Sequence, residues 1–258
     1  MVVMARRTAI RDGVRLRYLD SGVGSPPLLF IDGWSCSAWF WREQIAAFED
    51  KHPARGGLDL HGHGESDKPN QDYTIAAFAD DVAWLCRQVR LERPVVVGHS
   101  MGGMIALRLA LDRPELAAAI VIVDSPIVPF ADPLASQMGQ IVARLASPAY
   151  NAHDTSARYG FRLQGPYGGI PALPAGEVPV PALFVAASET PWSLEAIKAC
   201  FPNMRTAQVV AAGHFLQLEV PEQFNAMLRR FLEVARVEWG RSGKRTDCQS
   251  QQEVARER

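Results

Sequence analysis

Gly98-His99-Ser100-Met101-Gly102 is the passage of this chain best suited to chemistry. An aliphatic run, Pro94–Val97, leads into it, and Met104, Ile105, Leu107 and Leu109 follow at helical spacing. A strand that turns straight into a helix forces the residue at the bend into strained backbone angles. Gly98 and Gly102 lack the Cβ atoms that would collide at such a bend. Ser100 is therefore expected to stand out at the top of a sheet, with the backbone N–H of Met101 turned toward the same space. The helix N-terminus adds favourable potential for a developing anion. The chemistry that fits is attack by a hydroxyl on a carbonyl carbon. A serine hydroxyl is a poor nucleophile at neutral pH and needs a base, and an imidazole titrating near roughly 6.5 can take its proton and later return it.

Such a serine needs a framework of buried strands. Leu28–Ile31, Pro94–Val97, Ala119–Val123, Ala182–Ala187 and Ala207–Val210 are short aliphatic runs bounded by turn residues. Runs apolar at nearly every position suit parallel strands buried on both faces. Phe78, Val82, Leu85 and Val89 share one helix face between two of these runs, as do Phe224, Met227, Leu228 and Phe231 near the end. Pro221 and Glu222 supply a start signal for that last helix. Alternating strands and helices predict an α/β fold, a mostly parallel, doubly wound sheet of about eight strands flanked by helices.

Residues 126–177, rich in proline and glycine, break the rhythm and read as a small cap or lid inserted in a core formed by 1–125 and 178–239. Residues 240–258 are polar, without apolar periodicity, and read as a disordered tail. In the 258 residues, 27 basic and 28 acidic side chains nearly cancel, so no electrostatic footprint for nucleic acid or an anionic membrane is present. No segment approaches the roughly 20 apolar residues that span a bilayer, and no run near Met1 is long enough for a signal sequence. Cys36, Cys86, Cys200 and Cys248 are scattered without metal-site spacing. The expectation is a cytoplasmic protein with incidental thiols, no metal and no cofactor, acting on a small molecule. The oligomeric state is not written in the sequence.

Between about Arg15 and Val237 the chain resembles the α/β-hydrolase superfamily, through the Gly-x-Ser-x-Gly elbow and Asp59-Leu60-His61-Gly62-His63-Gly64-Glu65-Ser66-Asp67. The resemblance implies that His61, His63 and His99 belong to loop construction and packing, and that His214, after a strand and before the last helix, is the catalytic base. The order serine, then histidine, agrees. It further implies that Leu28-Leu29-Phe30-Ile31-Asp32-Gly33-Trp34 is the oxyanion turn, with the N–H groups of Trp34 and Met101 as donors. Where the superfamily has His-Gly, this chain has Asp32-Gly33, and Asp32 is expected to cap N–H groups of its own turn.

The orienting acid departs as well. The usual aspartate after the next-to-last strand is replaced by Thr190 in Ala186-Ala187-Ser188-Glu189-Thr190-Pro191. Asp124, at the end of Ala119–Val123, is the best replacement, and Glu189 is the fallback. Fungal zearalenone lactonases are similar in both departures, although their acid is a glutamate. The reading is a serine hydrolase cleaving a small carboxylic ester or lactone through an acyl-enzyme. Trp34, Trp39, Phe40, Trp41 and cap aromatics such as Phe130 and Tyr150 are candidates for an apolar pocket. Two alternatives stay open: a cofactor-free dioxygenase using the His–Asp pair, and a non-catalytic ligand-binding module.

Overall fold

The computed structural model describes residues 5–20, 26–48, 54–70, 73–128 and 175–235. Eight strands form one sheet: β1 (Ala5–Arg11), β2 (Val14–Asp20), β3 (Leu28–Ile31), β4 (Ala54–Asp59), β5 (Val95–His99), β6 (Ala119–Val123), β7 (Ala182–Ala186) and β8 (Arg205–Gln208). Their spatial order is β1-β2-β4-β3-β5-β6-β7-β8. The β1–β2 and β2–β4 pairs are antiparallel and the remaining five pairs are parallel. The helices are α1 (Arg42–Phe48), α2 (Ile75–Gln88), α3 (Met101–Asp112), α4 (Leu194–Cys200), the short α5 (Leu216–Glu219) and α6 (221–235).

Both faces of the sheet are covered. Val96, Ile120, Ile122 and Phe184 point toward α2 and α3, where Phe78, Val82 and Leu107 meet them. Val95, Val97, Val121, Val123 and Val185 point to the other face and share a cluster with Trp41, Phe224 and Leu228. Strands sealed on both sides must be apolar throughout, which is why β3, β5, β6 and β7 were legible. Each such side chain, fully buried, contributes roughly 1.5–3 kcal/mol.

Two expectations are corrected at the sheet's last strand and its pocket aromatics. The final strand runs over Arg205–Gln208, two residues before the aliphatic run Ala207–Val210. It is an edge strand with half-exposed polar residues, and the exposed Val210 gives its N–H to the Gln223 side chain instead of a strand. Phe40 and Trp41 are core residues: Trp41 stacks on Phe30 and touches Phe224, and Phe40 packs on Phe215. The expected cap and tail, with Phe130 and Tyr150, fall outside the described residues but for 126–128 and 175–177.

The register places the chemistry. His99 pairs with Val123, Val123 with Val185, and Ala186 with Gln208. Ser100, Asp124 and Ala187 therefore leave neighbouring strands at one edge. Close approach at the β5–α3 bend fixes that edge, because a Cβ at Gly98 would lie 2.1 Å from the Gly102 carbonyl oxygen. A Cβ at Gly102 would lie 2.3 Å from the Ile31 carbonyl oxygen. Both obstacles are backbone, so neither can swing aside. Gly98→Ala is expected to lose about 3 kcal/mol in urea unfolding, from overpacking against rigid backbone. A loss under about 0.5 kcal/mol would show that the bend is looser than this.

Candidate active site

Ser100 lies between β5 and α3 with φ 51° and ψ −116°, a region strained for any residue with a Cβ. Its backbone is tied down on both sides. The Ser100 N–H donates to the Val123 carbonyl at 2.9 Å, and the Ser125 hydroxyl donates to the Ser100 carbonyl at 2.6 Å. Met101 opens α3, so its N–H belongs to the first turn, which has no partner within a helix. Gly33 approaches from β3: a Cβ there would sit 3.2 Å from Ser100 Cβ and 3.0 Å from His99 Nδ1. The turn carrying Trp34, closed by the Cys36 N–H to the Gly33 carbonyl at 3.2 Å, thus lies beside the serine.

His214 follows β8, ninety residues beyond Asp124 in the chain, yet its Nδ1 lies 2.8 Å from Asp124 Oδ2. A carboxylate only accepts, so Nδ1 carries the proton and Nε2 is left for proton exchange. The pair is well sheltered: the side chains are 11% exposed for His214 and 1% for Asp124. The other carboxylate oxygen, Oδ1, accepts from the Ala187 N–H at 3.1 Å and the Thr190 hydroxyl at 2.7 Å. Asp124 itself has φ 41° and gives its N–H to the Val185 carbonyl at 2.8 Å. Of the two acids considered, it is Asp124 that meets the imidazole, while Glu189 is exposed.

Three side chains support the site, of which only His99, expected as a packing residue, was foreseen. His99 Nε2 donates to the His214 carbonyl at 2.8 Å, and the two rings lie 4.5 Å apart. Burial, with the charge of His214 adding, holds the His99 imidazole well below its ordinary value, so it is a neutral fastener. Ser125 and Thr190 are the other two. Their partners are 25 and 66 residues away in the chain, so only the folded register reveals them. His61 and His63 are structural. His61 Nδ1 pairs with Asp81, and burial pushes the His63 imidazole down to about 4.

Asp32 does not cap its turn. It is 1% exposed, and neither carboxyl oxygen accepts from a main-chain N–H of the turn. Burial, reinforced by the Asp59 carboxyl, raises Asp32 well above the ordinary carboxylate range, and the Trp41 indole offsets only part of this. The neighbouring Cys36 thiol is raised well above its ordinary value by the same burial and by Asp32, which makes it unreactive. A cavity of about 360 Å³ opens nearby, between β2 and Ser37–Trp39, with Arg17, Asp59 and Glu65 in its wall. None of Ser100, Asp124 or His214 lines it. Among the described residues there is no cluster of three or more metal-ligating side chains, and no helix is long and apolar enough to cross a membrane.

Residues 26–147 match the model of a family described as alpha/beta hydrolase fold. A solved N-acyl homoserine lactone degrading enzyme shares 26% identity at a TM-score of 0.66, covering 87% of this chain and 100% of that one. The chain therefore has the alpha/beta hydrolase fold. Curated relatives include the dihydrolipoyllysine-residue acetyltransferase component of the acetoin cleaving system of Cupriavidus necator. It is 36% identical over 116 residues, 45% of this chain and 30% of that protein. Epoxide hydrolase 4 of Homo sapiens is 30% identical over 117 residues, 44% of this chain and 32% of that protein. The chain thus spans about a third of the length of the curated relatives it matches.

Two stability measurements test this geometry. Glycine adopts the Ser100 angles freely, so Ser100→Gly should be about 1 kcal/mol more stable than Ser100→Ala, which keeps the strained Cβ. Equal midpoints in urea would show that Ser100 is relaxed. Asp32 keeps its proton above the ordinary value of 3.8, so ionising it in the folded state costs stability. That cost is absent well below 3.8 and grows as pH rises toward the folded value. Asp32→Asn should therefore gain on the parent by about 1.4 kcal/mol per pH unit across that window. Parallel stability curves would refute the buried neutral acid.

Proposed function

We propose that this chain is a serine hydrolase that cleaves a small carboxylic ester or lactone through an acyl-enzyme. The observation that carries the reading is the 2.8 Å pairing of His214 Nδ1 with the buried Asp124, on the sheet edge where Ser100 stands in a strained bend. Ser100 Oγ attacks the acyl carbon while its proton passes to His214 Nε2. The tetrahedral oxyanion is held by the N–H groups of Trp34 and Met101, each contributing on the order of 3 kcal/mol. Collapse breaks the bond to the leaving oxygen, which departs with the proton from Nε2. Water, deprotonated by the same imidazole, then releases the acid. Asp124 holds the ring in the required tautomer throughout.

The epoxide hydrolase and the lactone degrading enzyme among the similar proteins support hydrolysis in general, and the residue at the bend narrows it. Epoxide opening through an alkyl-enzyme needs a carboxylate nucleophile, and Ser100 is a hydroxyl. Acyl transfer to serine is what this residue and a donor-lined turn can do. No cofactor enters the scheme, and the partner is the small-molecule substrate.

A fluorophosphonate probe is expected to label Ser100, read by peptide mass, and a p-nitrophenyl ester series should show turnover. Asp124→Asn should lower kcat by about 10³–10⁴-fold because the imidazole loses its tautomer, with Glu189→Gln within about twofold of the parent. Oxygen uptake on a hydroxyquinolone, with esters ignored and Ser100 unlabelled, would instead establish the His–Asp pair as the base of a cofactor-free dioxygenase. Silence in both assays would leave a binding module.

A further inference from the structure

The position left without an acid is not idle. Thr190 Oγ lies 2.7 Å from Asp124 Oδ1, while it also accepts the Trp192 N–H at 3.3 Å. A hydroxyl has one proton and two lone pairs. With the Trp192 N–H on a lone pair, and an acceptor-only carboxylate on the other side, the hydroxyl proton is directed at Oδ1. The Ala187 N–H meets the same oxygen at 3.1 Å. Both donors come from the end of β7, whereas Oδ2 faces His214 Nδ1. The carboxylate is thus gripped at one oxygen and presented with the other.

We propose that Thr190 is a positioning residue for the reaction: it acts through Asp124, turning the relocated carboxylate so that Oδ2 faces the imidazole. Without its hydroxyl, one main-chain N–H restrains Oδ1, and the carboxylate can rotate about its Cβ–Cγ bond away from His214. No substrate contact is involved, so the effect falls on kcat and not on KM. This inference rests on the hydrolase reading for its kinetic readout and on the His–Asp pair alone for its spectroscopic one.

Thr190→Val, nearly the same in volume, is expected to lower ester-hydrolysis kcat about tenfold, the value of one hydrogen bond, with KM unchanged. Thr190→Ser restores the hydroxyl and should return kcat to within about threefold of the parent. In an Asp124→Ala background, Thr190→Val should cost nothing further, because the group it acts through is gone. The His214 Nδ1–H proton resonance, read without turnover, should shift in Thr190→Val and recover in Thr190→Ser. Equal losses with and without Asp124 would reduce Thr190 to a packing role. Full activity of Thr190→Val, or an unmoved resonance, would overturn the proposal. Should the parent neither hydrolyse esters nor label at Ser100, the hydrolase reading fails by itself and the resonance still decides the role of Thr190.

Discussion

The site depends on a single buried carboxylate that three groups from two distant segments of the chain must satisfy at once. Asp124 is almost without solvent, and an unsatisfied carboxylate in that position would cost several kcal/mol. It is satisfied by an imidazole from beyond β8, a main-chain N–H from the end of β7 and a hydroxyl three residues later. None of these groups is near it in sequence. Parallel pairing brings them together, since β6, β7 and β8 end level in the sheet. The ladder that builds the core therefore also assembles the donors.

The same ladder holds the strain. Ser100 and Asp124 both have positive φ, and each follows a central strand directly. Each gives its N–H to the last carbonyl region of the next strand, Ser100 to Val123 and Asp124 to Val185. A strained residue persists only where its surroundings over-determine it. Here the hydrogen bonds that would continue an ordinary ladder also pin two bends. His99 adds a further strut by fastening the His214 carbonyl to β5. It does so as a neutral ring, so no second charge disturbs the pair.

Much of this was legible because burial on two faces demands continuous apolar runs, and β3, β5, β6 and β7 obey that demand. The elbow was legible through its glycines, where an added Cβ would meet backbone at 2.1 and 2.3 Å, as the spacing implied. The hairpin β1–β2 was not. Only Ala9 and Leu16 are buried in it, and they pair with each other, so a single position carries the whole pattern. β4 contains two glycines and little else that reads as a strand. The edge strand β8 is polar, which displaced its reading toward the aliphatic residues after it. Asp124 as partner of His214 was reachable from its place at a strand end. The hydroxyl of Thr190 was not, because its use depends on a register between segments 66 residues apart.

Two aspartates at this edge show how surroundings, and not residue type, decide what a carboxyl can do. Asp124 receives three donors, one of them an imidazole, an environment built for negative charge. Asp32, beside the expected oxyanion turn, is buried near a second carboxyl with only the Trp41 indole to offset this, an environment that disfavours charge. In the proposed acyl transfer, a charged Asp32 would oppose the developing anion, whereas a neutral one would leave the potential at the turn to the N–H groups of Trp34 and Met101. Replacing the superfamily's histidine by aspartate is compatible with the proposed acyl transfer because burial and the Asp59 carboxyl disfavour its charged form. Had the turn's own N–H groups capped it, as its position in the sequence implied, the charge would have been stabilised where it is least welcome.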